Sequence, residues 1–156
     1  MADITKLNSV DVPRVLLVRR NPKGGRDYIM ADPHGAFSTL YSALEAVGFD
    51  TDCDRLFIVG DLIDRGPDSW MCAELLEQPW VFAVRGNHED MLIELYKNGE
   101  PAPGVLAYMA RRNGFGWWLD TSPARREAVL AAVRRLPVVI ELDSERGTVG
   151  LVHGDV

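Results

Sequence analysis

The sequence has little of several features whose abundance would define a class of protein. Only two of its 156 residues are cysteine, Cys53 and Cys72, which excludes a disulfide-dense scaffold and favours a reducing compartment. No apolar run approaches the roughly 20 residues of a membrane-spanning helix. The first residues also lack the charged start and apolar stretch of a signal peptide. We therefore expect a soluble, cytoplasmic protein, with Cys72 as a buried structural thiol.

Positive charge is scarce as well. Lysine and arginine number 17 against 23 aspartate and glutamate residues, which gives a formal net charge of −6. This balance argues against nucleic acid or an anionic membrane as the main partner. Positive charge for any anionic ligand would have to come locally, from metals and one or two arginines. The length predicts one domain with a real core.

Histidine is rarer still, and its placement is the most informative feature of the chain. The three histidines all fall within short polar strings that follow apolar runs. The strings are Asp32-Pro33-His34-Gly35, Gly60-Asp61-Leu62-Ile63-Asp64-Arg65-Gly66, Gly86-Asn87-His88-Glu89 and Val152-His153-Gly154-Asp155. Histidines that merely pack in a core would be scattered more widely. Carboxylate, amide and imidazole groups in these strings are suitable metal donors.

The chain repeats an apolar run, a polar tip and a helical pattern. The runs 28–31, 56–59 and 81–84 are predicted strands, and each ends at one of the first three strings. Strands that alternate with helices indicate a largely parallel sheet. Ligands of such sheets bind beyond the carboxyl ends of the strands, so the strings are expected to converge there.

The remaining segments are less regular. Residues 1–26 are predicted to be an entry segment, in which Val15–Val18 either pairs as a strand or covers the edge of the core. Glycines and prolines in residues 98–123 predict an irregular insertion with one short helix. Residues 138–142 and 148–152 are predicted to form a hairpin that delivers His153 to the end of its second strand.

The strings D-x-H-G, G-D-x-x-D-R-G and G-N-H-E, in this order and spacing, resemble the phosphoprotein phosphatase branch of the metallophosphoesterase superfamily. Within that branch the chain is similar to the small bacterial and phage-lambda-type serine/threonine protein phosphatases, and residues 75–90 share that likeness between the motifs. The resemblance runs from about Gly25 to the end. It implies an α/β fold in which helices flank a β-sandwich, with the domain over residues 27–156.

The strings supply candidate ligands for two divalent metal ions. Asp32 and His34, one residue apart, can chelate the first ion, and Asn87 and His153 offer oxygen and nitrogen to the second. Asp61 is the candidate for the bridging carboxylate that holds two cations close together. This donor set without thiolate suits Mn²⁺, Fe or Zn²⁺. The resemblance to the bacterial subgroup favours Mn²⁺.

The resemblance also implies roles for the other polar residues. His88 directly follows the candidate ligand Asn87, so it could hardly reach the same ion. As in the family, it would act as the general acid towards the leaving alkoxide, oriented by Asp64. Arg65 presents a planar fork that can bind two phosphate oxygens.

Glycines and two departures from the family pattern concern the local geometry. Gly60, Gly66 and Gly86 are predicted to permit tight turns that bring the backbone close to the site. Ala31 stands where the family commonly has glycine. Pro33 would stiffen the first loop and remove one backbone donor, which affects fine geometry and not metal binding.

Other prominent residues have plainer interpretations. For Arg85 we favour a structural ion pair over a catalytic role. Trp117 and Trp118 are predicted to be anchors of the core or the insertion, in preference to stacking on a substrate. Glu89 and Asp90 are predicted to be a first-turn helix feature. Taken alone, Asn87 would be interpreted as a turn or helix-cap residue. The order and spacing of the strings favour the interpretation of Asn87 as a metal ligand.

The carboxyl end raises a separate expectation. Family members continue for several tens of residues after the motif that matches Val152–Asp155. That part normally supplies a further ligand histidine, a second phosphate-binding arginine and strands of the second sheet. We therefore expect the carboxyl-terminal strands to be missing, with a weakened second metal site and exposed apolar edges.

The resulting functional hypothesis is metal-dependent hydrolysis of phosphomonoesters, phosphoserine and phosphothreonine in proteins above all, by direct attack of a metal-bridging hydroxide. The expected partner is a phosphoprotein or phosphopeptide. One alternative is a dinucleoside polyphosphate hydrolase, whose related signature also has Arg-Gly-Pro; Asp64 argues against it, because those enzymes tend to lack it. The other alternative is an inactive metal- or phosphate-binding fragment.

Overall fold

The fold is taken from a computed structural model that describes residues 14–154. Residues 1–13 of the predicted entry segment, and the predicted motif residue Asp155, lie outside the described residues. The elements, in chain order, are β1 (Val15–Val18), β2 (Asp27–Met30), α1 (Phe37–Ala46), β3 (Arg55–Val59), a 3₁₀ turn (Ser69–Met71), α2 (Cys72–Leu76), β4 (Val81–Val84), α3 (Asn87–Leu95), α4 (Pro103–Asn113), α5 (Gly116–Asp120), α6 (Pro123–Arg134), β5 (Val139–Ser144) and β6 (Gly147–Val152).

The central sheet has the order β2-β3-β4, and both of its strand pairs are parallel, as predicted. Both faces of β3 are buried, which is why its sequence is almost continuously apolar. Leu56 and Ile58 face a core shared with the helices, while Phe57 faces the opposite way. The polar strings after the three strands therefore emerge at one edge of this sheet.

A second sheet has the order β1-β5-β6 and packs on the other face of the central sheet. Strand β5 pairs antiparallel with β6, which confirms the predicted hairpin, and β1 pairs parallel with β5. Val15–Val18 is therefore a strand; the domain boundary at residue 26 stays a prediction. A core between the sheets joins residues from both: Val18, Phe57, Val84, Ile140, Leu142 and Leu151. The α/β fold class with two packed sheets and helices is thereby confirmed.

The insertion at residues 98–123 is more helical than predicted: the predicted short helix is α4, and α5 is a further helix. Pro103 stands in the first turn of α4, where its missing N–H would have no helical partner in any case. Gly114 ends α4 in the left-handed conformation, with φ of 73°. These two residues mark the ends of a helix and do not interrupt it. Trp118 in α5 is fully buried, as predicted for an anchor.

Cys72 is fully buried, as predicted, and burial raises the pKa of its thiol well above the usual range. None of the helices within residues 14–154 has the length and apolarity that crossing a bilayer requires.

Candidate active site

Backbone strain marks the site. Among the described residues, five non-glycine residues have a positive φ: Asp32 (47°), His34 (43°), Asp61 (49°), Asp64 (72°) and Arg65 (66°). All five belong to the predicted site. A left-handed backbone is costly for residues with a Cβ and persists only where the surroundings enforce it, which happens mostly at functional sites.

Close backbone approach explains the glycines beside these residues. A Cβ atom on Gly86 would overlap the backbone nitrogen and carboxylate of Asp61. At Gly60, which has φ of 76°, a Cβ atom would lie 2.7 Å from Nδ1 of His153. Both glycines therefore bring neighbouring loops into contact, as predicted.

Asp61 is the centre of the site. It is 5% exposed, and its two carboxylate oxygens face different histidines. Oδ2 lies 3.6 Å from Nε2 of His34 and 4.0 Å from Nε2 of His88, while Oδ1 lies 3.4 Å from Nε2 of His153. Two groups of potential ligands result, one of Asp61 with His34 and His88 and one of Asp61 with Asp32 and His153. One carboxylate thus belongs to both groups.

His34 and His153 are oriented in the same way. Nδ1 of His34 donates to the carbonyl of Ile63 at 3.0 Å, and Nδ1 of His153 donates to the carbonyl of Val59 at 2.9 Å. A carbonyl can only accept, so Nδ1 of each ring carries a proton and Nε2 is directed into the site. Histidines that ligate metals commonly have this arrangement.

Around His153, the second group and the neighbouring Asn87 bring three acceptor atoms close together. Nε2 of His153 lies 2.9 Å from Oδ1 of Asn87 and 3.4 Å from Oδ1 of Asp61. Three lone-pair atoms that face one another need a cation or a proton between them, so this donor set fits a divalent ion. Oδ1 of Asp32 lies 3.4 Å from Nδ1 of His153. The structure thus places Asp32 on the His153 side, and its predicted pairing with His34 on one ion stays a prediction.

His88 has different surroundings from the other two histidines. Its Nδ1 atom donates to Oδ2 of Asp64 at 2.6 Å, and both residues are buried. The hydrogen bond with Asp64 raises the pKa of His88, and the negative charges of Asp64 and Asp61 act in the same direction. Burial and the positive charge of Arg65 oppose this rise. The structure brings together the pair that the sequence predicted as acid and orienting carboxylate.

Arg65 joins the two parts of the site. Its Nη1 atom donates to Nε2 of His34 at 2.8 Å, and its Nη2 atom donates to Nε2 of His88 at 3.1 Å. Its backbone nitrogen donates to the carbonyl of Gly114 at 2.9 Å. The guanidinium thus brings a positive charge to the two histidines that face Asp61.

Glu89 has a role that sequence reasoning missed. Its carboxylate is fully buried and accepts backbone N–H bonds from Asp61 (3.0 Å), Leu62 (2.8 Å), Ile63 (3.2 Å) and Gly86 (2.8 Å). Glutamate three residues after Gly86 was a signal for part of this arrangement, because N3 glutamate often caps a helix. The three bonds to the loop after β3 depend on tertiary contact.

Arg85 is structural, as favoured from the sequence. Its Nη1 atom lies 3.3 Å from Oδ1 of Asp90, and Nη2 donates to the carbonyls of Arg134 and Leu136 at 3.3 and 3.0 Å. The guanidinium thus ties the start of α3 to the end of α6. Basic groups at helix carboxyl ends are stabilising.

These strands, loops and ligand groups define a metallophosphoesterase-type site, and comparison with known families agrees. The family model for calcineurin-like phosphoesterases matches residues 28–155, and the chain belongs to this family. Calcineurin-like phosphoesterases use a dinuclear metal centre, and the two groups around Asp61 contain candidate ligands for it here.

Individual relatives of the chain carry two different names. It is 36% identical over 131 residues to serine/threonine-protein phosphatase 1 of Salmonella typhimurium, a match that covers 82% of this chain and 58% of that protein. It is also 39% identical over 71 residues to a symmetrical bis(5'-nucleosyl)-tetraphosphatase of Wigglesworthia glossinidia brevipalpis, over 44% of this chain and 26% of that protein. The chain thus spans little more than half the length of the first of these relatives.

A solved structure agrees on the fold. A protein serine/threonine phosphatase from Saccharomyces cerevisiae superposes with a TM-score of 0.58 at 19% identity, over 85% of this chain and 40% of that one. At this identity the similarity concerns the fold alone. It supports the arrangement of strands and loops that positions the site.

Proposed function

We propose that this chain hydrolyses phosphomonoesters, with phosphoserine and phosphothreonine in proteins as the main substrates. The observation that carries the proposal is the position of Asp61, whose two oxygens each face a different ligand group. His88, which pairs with Asp64 and contacts Arg65, lies 4.0 Å from Oδ2 of Asp61. The resemblance to serine/threonine phosphatases supports the choice of protein substrates.

Five residues would hold two divalent ions: Asp32, His34, Asp61, Asn87 and His153. Their oxygen and imidazole donors fit Mn²⁺, Fe or Zn²⁺, and the likeness to the bacterial phosphatases favours Mn²⁺. When bound, such a pair of ions would supply a water that ionises near neutral pH and positive charge for the phosphoryl oxygens. The residues of the chain then have to bind the phosphate and deliver a proton.

Arg65 would bind the phosphate. Its guanidinium is a rigid planar donor that matches two oxygens of a phosphoryl group. The Nε2 lone pair of His34 cannot accept from Arg65 and bind a cation at the same time, so a cation on His34 would release Nη1 of Arg65. The released donor lies beside the ligand groups, where the phosphoryl oxygens of a substrate would come.

His88 would donate the proton to the leaving alkoxide. Asp64 holds Nδ1 of His88 at 2.6 Å, so Nε2 is the atom that faces the site. Nε2 accepts from Nη2 of Arg65 in this arrangement, and it would carry the proton once that donor turns to the phosphate. A serine or threonine alkoxide is a poor leaving group and needs this proton as the ester bond breaks. General acids of this kind typically contribute about 10²–10⁴-fold to the rate.

Cleavage of a dinucleoside tetraphosphate is the second candidate function. The similarity to symmetrical tetraphosphatases favours it, although that match covers 44% of this chain. The buried His88–Asp64 pair supports the monoesterase, because a phosphate leaving group needs a proton less than an alkoxide does. The two functions differ in the product that they release.

The deciding experiment measures turnover of the full chain in excess Mn²⁺ on a phosphoserine peptide, a phosphothreonine peptide and diadenosine tetraphosphate. We expect release of inorganic phosphate from the peptides in preference to cleavage of the dinucleotide. Asp61→Asn should abolish turnover, whereas Asp52→Asn, a change at an exposed loop carboxylate, should not. Preferential cleavage of the dinucleotide would support the second function, and peptide binding without turnover would support a non-catalytic module.

A further inference from the structure

The insertion reaches the catalytic pair through Trp117. The indole Nε1 atom of Trp117 donates to Oδ1 of Asp64 at 2.8 Å, while Oδ2 of the same carboxylate accepts from Nδ1 of His88 at 2.6 Å. Asp64 is 1% exposed, so water does not compete for either oxygen. Each carboxylate oxygen therefore has a partner from a different part of the chain.

The backbone beside Trp117 is also fitted to the loop that carries Asp64. The carbonyl of Gly114 accepts from the backbone nitrogen of Arg65 at 2.9 Å. A Cβ atom on Gly114 would come within 2.7–2.8 Å of the backbone and side chain of Arg65, and Gly114 has a left-handed φ of 73°. Residues 114–117 thus contact two consecutive site residues, Asp64 and Arg65.

Trp117 is held by residues of α5 and by the two residues that cap this helix, and its ring packs edge-on against Phe115 and Trp118. Its neighbours Phe115 and Trp118 are buried, with 1% and 0% exposure, and their rings stack at 5.4 Å. Thr121 Oγ1 donates to the carbonyl of Trp117 at 2.7 Å. The indole N–H is consequently directed at Asp64 from a rigid support.

An indole N–H is well suited to orient a carboxylate without changing its charge. It donates one hydrogen bond and accepts none, and it has no ionic charge. An arginine or lysine in its place would partly neutralise Asp64 and weaken its attraction for the His88 proton. The hydrogen bond from Trp117 instead fixes the rotation of the Asp64 carboxylate, so that Oδ2 of Asp64 remains hydrogen-bonded to Nδ1 of His88.

We propose that Trp117 is a positioning residue for the proposed phosphomonoesterase reaction, acting through Asp64 on His88. The proposal rests on the proposed function and adds that the insertion, through residues 114–117, is part of the active site. Loss of the indole N–H should impair protonation of the leaving group and little else. Substrates that need this proton should be affected most.

The test compares Trp117→Phe with the wild type on a phosphoserine peptide and on p-nitrophenyl phosphate, in excess Mn²⁺. We expect kcat on the peptide to fall about tenfold, the effect of losing one hydrogen bond to a charged group. KM should hardly change, and kcat on the nitrophenyl ester should stay near the wild-type value. The matched control is Trp70→Phe, because Trp70 stacks on Arg125 at 4.2 Å and makes no indole hydrogen bond within residues 14–154. This control should leave both activities unchanged.

Two further measurements separate positioning from general structural support. Benzothienylalanine at position 117 keeps the bicyclic shape without the N–H. It should therefore show the same selective fall of kcat on the peptide, and it replaces Trp117→Phe if that variant folds poorly. Hydrogen exchange of the Trp117 indole N–H should be slow in the wild type and fast in Asp64→Ala. A kcat that falls equally on both substrates, or an indole that exchanges equally in both proteins, would overturn the proposal. A wild type without turnover on either monoester would instead refute the proposed function, whatever the exchange data show.

Discussion

The carboxylate of Glu89 accepts a hydrogen bond at 3.0 Å from the backbone nitrogen of Asp61, which lies 28 residues earlier in the chain. The same carboxylate also bonds the two residues after Asp61 and the glycine that precedes α3. Asp61 has a positive φ, so these bonds help to hold a strained turn. The central carboxylate of the site is thus positioned by a second, buried carboxylate.

Glu89→Gln should therefore destabilise the protein and the metal site together. The amide nitrogen of glutamine would face backbone N–H groups, leaving buried donors unpaired at a cost of about 1–3 kcal/mol in the free energy of unfolding. Urea denaturation and manganese titration measure the two effects. The control is Glu94→Gln on the same helix, an exposed position where we expect a change within about 0.5 kcal/mol. Equal stability of both variants would contradict the role of Glu89.

His88→Asn should lower kcat on a phosphoserine peptide by roughly 10²–10⁴-fold while the manganese content stays near the wild-type value. The reason is that His88 is proposed to donate a proton and not to hold an ion. The defect should shrink on p-nitrophenyl phosphate, whose leaving group needs little protonation. His34→Asn serves as the contrast, because it should lower manganese binding. An equal loss of rate on both substrates would remove His88 from the role of general acid.

Asp54 provides a prediction about stability and pH. Its buried carboxylate accepts backbone N–H bonds from Asp50 (3.0 Å) and Arg26 (2.6 Å), and these bonds hold the pKa of Asp54 below its ordinary value. Because the pKa is lower in the folded state, the stabilisation is present above the unfolded pKa of about 4. It is lost as the pH falls through the folded pKa.

Asp54→Asn should consequently be less stable than the wild type at pH 7, and the difference should narrow progressively below pH about 4. Denaturant unfolding at a series of pH values measures this difference. Asp52→Asn is the matched control, since the Asp52 side chain makes no hydrogen bond with the described residues. A stability difference for Asp54→Asn that is constant from pH 7 to pH 3 would show that the charge of Asp54 is irrelevant.

The sequence predicted the parts of the structure that depend on local pattern. The apolar runs predicted the parallel strands. The polar strings at the ends of these runs predicted the site, because the carboxyl ends of parallel strands meet at one edge of the sheet. The contacts of Glu89 and Trp117 could not be foreseen, since they depend on how distant loops pack. The predicted short helix of the insertion is α4, which is longer than predicted because Pro103 and Gly114 mark its ends and do not interrupt it. The short helix α5 has no local pattern that predicts it.

One carboxylate, Asp61, is proposed to serve both ligand groups. Manganese titration of the full chain, monitored by the EPR signal of free Mn²⁺, shows whether it does. In Asp61→Asn the amide oxygen can still accept from the backbone nitrogen of His88, so the fold should survive. Asp61→Asn should weaken manganese binding at both groups, whereas His34→Asn and His153→Asn should each weaken binding at one. An Asp61→Asn protein that binds manganese as the wild type does would contradict the shared role of Asp61.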